Sequence, residues 1–188
     1  MSIETSREEK EKIHILWSGG WDGSFRMLQL SQYNIDIQPY YIINPKRKSV
    51  EYEKKAINSI VQDISNRFNS HILPIIYYDK DFILTNFADA DVSQSFQYLR
   101  KKYRVGIQYE WFALLTKHLG IKMESSVVHQ YHGKVENAIN AEGTLKTLTD
   151  NILSERYIID ENESNKYILD VFGNIIFPLI KIKKKDEE

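Results

Sequence analysis

The run Ile13-His14-Ile15-Leu16-Trp17-Ser18-Gly19-Gly20-Trp21-Asp22-Gly23-Ser24 joins a short apolar segment to a glycine-rich turn. β-Branched and aromatic side chains at 13–17 favour a pleated, extended backbone. From Ser24 to Tyr33 the apolar positions, Phe25 and Leu28 among them, fit a helix. Strand, glycine turn and helix in this order present backbone N–H groups to an anion at a positive helix end. The paired glycines let the backbone turn sharply and approach a ligand with no Cβ in the way. Asp22 is placed to cap the helix or to reach a ligand or metal. The stretch reads as a phosphate-binding loop, with Ser18, Gly19, Gly20, Asp22, Gly23 and Ser24 as its contact candidates.

Working outward, Ile37 to Ile43 is a second strand candidate ended by Asn44-Pro45. Ile57, Ile60, Val61, Ile64 and Phe68 recur at three- and four-residue spacing, so 49–68 is an amphipathic helix with Ser49 as N-cap. The near-continuous apolar run Ile72 to Tyr78 suits a buried parallel strand. Strands alternating with helices over short loops point to a parallel sheet covered by helices. Beyond it the spacing predicts helices at 93–103 and 107–119, the latter closed by Gly120, and a fourth strand at 123–128. Residues 134–155 read as helical with a break near Gly143, and 167–180 as a hairpin or two short strands around Phe172-Gly173-Asn174. The expected organisation is a charged lead-in at 1–12, one α/β domain at 13–182 and a charged tail at 183–188.

The whole chain has 188 residues, 42% hydrophobic and 27% charged, which fits one globular domain with a sizeable core. A formal net charge of -1 provides no general attraction for nucleic acid or an acidic membrane surface. Absence of cysteine excludes disulfides, cysteine-ligated zinc, thiolate catalysis and persulfide chemistry on this chain. The polar start and the lack of a long apolar run make the cytoplasm the expected location, with no membrane partner.

The loop is not a Walker A sequence, because no Gly-Lys-Ser/Thr follows the glycines, and it lacks the Gly-x-Gly-x-x-Gly spacing of dinucleotide binders. Ser18-Gly19-Gly20-Trp21-Asp22-Gly23-Ser24 resembles the Ser-Gly-Gly-x-Asp-Ser/Thr PP-loop of the ATP pyrophosphatase superfamily. Gly23 stands where that pattern has a hydroxyl residue. The resemblance implies a Rossmann-like parallel sheet sandwiched by helices, of the adenine nucleotide α-hydrolase (HUP) type, and cleavage of ATP between its α- and β-phosphates. Within the superfamily the chain looks most like 7-cyano-7-deazaguanine synthase and its relatives. The likeness rests on the aromatic strand ending at Asn44 with Arg47 and Glu51 after it, on Gly106 to Ala113, and on Phe177 to Ile182. That family's cysteine-ligated zinc has no counterpart here. The resemblance covers about residues 13–130 and adds Arg47 and Gln108 to the nucleotide-binding candidates, with ATP and Mg2+ as implied cofactors.

Other clusters have plainer readings. Leu99-Arg100-Lys101-Lys102-Tyr103-Arg104 is a basic, aromatic-flanked patch that could hold triphosphate or RNA and reads first as a solvated helix face. His129, His132 and Glu136 have a metal-like spacing but read first as surface or structural residues, and no metal ligand is assigned. No catalytic base is nominated. The expected function is adenylation of a small-molecule carboxylate or amide with release of pyrophosphate. The alternative is a catalytically reduced nucleotide-binding subunit or sensor acting with a partner protein, or as a homodimer. Near-neutral charge makes a nucleic-acid substrate the less favoured third reading.

Overall fold

A computed structural model describes residues 10–183, apart from 69, 131, 149–152 and 154. The lead-in before residue 10 and the tail after 183 lie outside the described residues. β1 (Lys12–Leu16) enters the glycine turn, and α1 (Trp21–Leu30) leaves it. β2 (Asp36–Ile43) follows, with α2 (Val50–Arg67) after the Asn44-Pro45 turn. Ser49 occupies the N-cap position of α2, but its hydroxyl bonds Glu53 rather than a backbone N–H.

The apolar run at 72–78 is not one buried strand. It splits into β3 (His71–Ile72) and β4 (Ile76–Asp79), both parallel to β2. The register pairs Ile37 with Ile72 and Tyr40 with Ile76, so Leu73-Pro74-Ile75 faces only Gln38-Pro39. Pro74 has no N–H to donate to the ladder, which confines it to an edge or a bulge. The extra residue makes that bulge, and Gln38 Nε2 satisfies the Pro74 carbonyl at 2.8 Å. β4 consequently sits at the sheet edge, with Ile76 and Tyr77 exposed.

The next stretch is more helical than its periodicity suggests. α3 (Lys80–Asn86) and α4 (Ala90–Tyr103) start at Asp79 and Asp89, whose carboxylates accept from backbone N–H groups of their first turns. α5 (Gln108–Leu119) ends on Gly120 at φ 64, the left-handed C-cap expected of it. β5 (Met123–Ser125) is shorter than expected.

Past Gly143 two expectations fail. α6 (Lys134–Glu142) is helical, but Leu145 onward is β6 (Leu145–Leu148), antiparallel to β7 (Arg156–Ile159). The remainder of that expected helix falls partly outside the described residues. The hairpin or two short strands expected at 167–180 are instead α7 (Lys166–Phe172), where the first strand was expected, leading into one short strand, β8 (Ile175–Ile176). Asn165 caps α7 by accepting from Ile168 N–H, and Ile168, Val171 and Phe172 bury one helical face. β8 then pairs in parallel with β5.

The protein is therefore α/β, with a central sheet ordered β3-β2-β1-β5-β8, β4 extending the β2 edge, and every pairing in it parallel. Alternation along the strands gives the sheet two apolar faces. Ile13, Ile15, Ile37 and Tyr41 pack with Met27 and Leu30 of α1 and Ile57 and Ile64 of α2. Leu16, Tyr40, Ile42 and Met123 pack on the opposite side with residues of α3 to α7. β1 lies between β2 and β5, so the chain reverses its direction of build at the C-terminal end of β1. Open α/β sheets bind ligands at such a switch point.

Candidate functional site

A cleft of about 810 Å³ opens at that end of the sheet. Ser18 and Gly20 line it from the β1–α1 turn, Asp22 and Gly23 from the first turn of α1, Arg47 from the β2–α2 turn, and Gln108 from the start of α5. The opposite wall comes from Ser125, Ser126 and the segment leading into α6. The cleft thus brings together six of the eight residues singled out from the sequence. Gly19 and Ser24 do not line it. Gly19 adopts φ 77, and a Cβ there would meet Ile57 Cγ1 at 3.0 Å, so the turn needs glycine both for conformation and for space. The Ser24 hydroxyl donates to the Gly20 carbonyl at 2.8 Å and accepts from Trp17 Nε1 at 3.3 Å, which commits it to the loop itself.

The N-terminal turns of α1, α5 and α6 all contribute to the cleft wall, through Trp21 and Asp22, Gln108 and Tyr109, and Lys134 and Val135. The N-cap residues of these helices, Gly20, Ile107 and Gly133, make no side-chain cap hydrogen bond among the described residues. Each helix start carries a partial positive charge, although at α5 the Tyr109 and Glu110 N–H groups already bond the Gly106 and Ile107 carbonyls at 3.2 and 3.3 Å. Arg47, Arg104 and Lys134 add formal positive charge to the lining. Trp111 Nε1 and Ser126 Oγ, on cleft-lining residues, are buried polar atoms with no hydrogen-bond partner among the described residues. Such groups are uncommon without a water or ligand to satisfy them. Tyr109 contributes an aromatic wall, and burial pushes its phenol up to about 12, so it stays protonated.

Two arginine–glutamate pairs hold the loop's surroundings. Arg26 of α1 donates from Nε and Nη2 to both carboxylate oxygens of Glu124 on β5, at 2.7 and 2.8 Å, with both side chains fully buried. Arg156 Nη1 joins the same carboxylate at 3.2 Å. This ties α1 directly to the strand next to β1. At the rim, Glu53 of α2 accepts from Arg47, from Ser49 at 2.8 Å and from the Tyr41 hydroxyl. Burial, then the hydrogen bond to Glu53, raises the Tyr41 phenol well above its usual range. Arg47 is therefore already paired, yet its side chain is 54% exposed and faces the cleft mouth.

His129 and Glu136 bind each other, Nδ1 to Oε1 at 2.6 Å, while Glu136 Oε2 accepts from the Gln130 N–H. This contact fastens the β5–α6 segment, and His132 lines the cleft separately. Lys102 of the basic patch is engaged with Glu142, whereas Arg104 turns into the cleft from a left-handed C-cap at φ 60. Lys134 and Trp17 also line the cleft without a signal in the sequence, and Arg104 belongs to the basic stretch that reads first as a solvated face. Arg104 had a signal in its own stretch, since a helix ending just before Val105-Gly106 must turn sharply there.

The fold is α/β, with a cleft at the switch point of a parallel sheet whose lining includes Arg47, Arg104 and Lys134 beside Asp22 and Glu136. Compared with models of known protein families and with curated proteins, the chain matches none.

Proposed function

We propose that the cleft binds MgATP and that the protein adenylates a small-molecule carboxylate or amide with release of pyrophosphate, as a PP-loop protein of the adenine nucleotide α-hydrolase type. The observation that carries this reading is the convergence of three helix starts, none with a side-chain cap among the described residues, on one cleft beside a glycine turn. A polyphosphate chain matches both the charge and the density of donors there. The cleft is at the upper end of the usual size for small-molecule sites, roughly 300–1,000 Å³, which leaves room for a nucleotide and an acceptor together. Backbone N–H groups around Gly20 and Gly23 would hold the pyrophosphate portion and stabilise the charge that develops on it. Asp22, in the first turn of α1 and on the cleft wall, supplies the carboxylate that would hold magnesium. Arg47 and Arg104 would neutralise the outer phosphates. The acceptor oxygen attacks the α-phosphorus, and the α–β bridging oxygen leaves with pyrophosphate.

The test is product analysis. Incubation with MgATP and a panel of carboxylic acids and amides is expected to give AMP and pyrophosphate in equal amounts. Formation of ADP and phosphate alone would refute the chemistry.

One observation favours the second reading, a nucleotide-binding subunit acting with a partner. Trp21, Phe25 and Leu28 lie four and three residues apart on α1 and are 91, 47 and 42% exposed, beginning at the cleft itself. MgATP binding with no AMP formed in any acceptor panel would support it. No helix among the described residues is long and apolar enough to cross a membrane.

A further inference from the structure

Gly23 departs from the PP-loop pattern, and the structure supplies a reason. A Cβ at this position would stand 2.6 Å from Trp17 Cδ1 and 3.4 Å from Trp17 Nε1. The first distance is far inside van der Waals contact, so no side chain fits while the indole is there. Trp17 is not free to swing away: it is 2% exposed and packs in the core with Ile15, Met27 and Ile57. Glycine within a helix is unfavourable by itself, so its presence in the first turn of α1 calls for a compensating contact.

Trp17 provides that contact. Its indole N–H donates to the Ser24 hydroxyl, the hydroxyl donates to the Gly20 carbonyl, and the same carbonyl accepts the Ser24 N–H at 2.9 Å. The residue that leaves β1 therefore clamps the first turn of α1 from beneath, while Ile57 confines Gly19 from the side of α2. The loop is gripped at both glycines.

We propose that Trp17 is a positioning residue of the phosphate loop and that Gly23 is its matched partner. The pair gives up a side-chain hydroxyl contact and in return fixes the backbone N–H groups that face the phosphates. This rests on the cleft being a polyphosphate site. It predicts recognition of the polyphosphate chain through the backbone, and it makes Gly23 a fitted residue of a working loop.

The test compares Gly23→Ser, Trp17→Leu and the double variant with wild type, using calorimetry with inorganic pyrophosphate and, separately, adenosine. Each single change should weaken pyrophosphate binding by about tenfold or more and adenosine binding by less than about twofold. The double variant should bind pyrophosphate better than either single one, because the added hydroxyl then occupies the space left by the indole. Simple loss of core packing would make the two effects add. Wild-type pyrophosphate affinity in Gly23→Ser, or a double variant no better than the tighter-binding single one, would overturn the proposal. Thermal unfolding gives a second readout that needs no ligand. Gly23→Ala should lower the melting temperature in the wild type but not in the Trp17→Leu background, and equal lowering in both would overturn the pairing. Failure of the wild type to bind pyrophosphate or MgATP would refute the functional reading, while the thermal comparison still decides whether residues 17 and 23 are matched.

Discussion

Arg26–Glu124 and Arg47–Glu53 are the same chemical pair set around the same loop, and burial gives them different roles. The first has no exposed side-chain surface and forms a bidentate contact inside the protein. Its charges are unavailable to a ligand, and its effect is to fix α1 against β5. The second leaves the arginine 54% exposed at the cleft mouth. Water reaches the arginine but little of Glu53, whose side chain is 17% exposed, so this pair is partly screened where the first is not. Residue identity alone does not separate a buried structural cation from an exposed one at a cleft mouth; depth in the fold does.

The buried end of this comparison should break hardest. Glu124→Gln leaves Arg26 and Arg156 facing a neutral amide, and loss of one partner of a buried pair is expected to cost about 3–5 kcal/mol in urea unfolding. A loss no larger than that of a surface change would remove the distinction.

Glu142 lies between the extremes. It is buried and accepts from Lys102, Tyr98, Tyr103 and Asn165. Burial alone would raise its carboxyl, but these donors outweigh burial and hold it down to about 2. A depressed folded value means the stabilisation is complete above the ordinary value of 4.5 and is lost as pH falls towards 2. Glu142→Gln should cost about 1–3 kcal/mol at neutral pH and flatten the fall in melting temperature across that acid window. An unchanged acid profile would contradict the assignment.

Asp89→Ala removes the N-cap of α4 and an ion pair with Lys117, and should cost about 1 kcal/mol. At the exposed end, Arg47→Ala should change stability by only about 0.2–1 kcal/mol, yet weaken MgATP binding several-fold. If stability drops as far as in Glu124→Gln, Arg47 belongs with the structural pair.

The same contrast explains what could be read from the sequence. β1, the loop, α1, β2 and α2 each carry an uninterrupted local pattern, and their order already indicates a parallel sheet. The break at Pro74 was visible as a proline, but only pairing with β2 reveals the bulge and the exposed edge. In 166–176, the apolar residues suit a strand or a helix equally. Asn165 as a cap and the parallel partner β5 decide for α7 and β8, and β5 is 50 residues or so distant in sequence, where local patterns carry no information. The loop's glycines were legible as a cradle. That Ser24 turns inward, and that Trp17 fills the space beside Gly23, depends on packing between elements.

The central claim is that the cleft at the end of β1 holds a polyphosphate. Calorimetric titration of the intact protein with MgATP, repeated in excess inorganic pyrophosphate, tests it most directly. The account predicts one saturable site whose binding heat pyrophosphate abolishes. An absence of binding, or MgATP binding that pyrophosphate leaves unchanged, would contradict it.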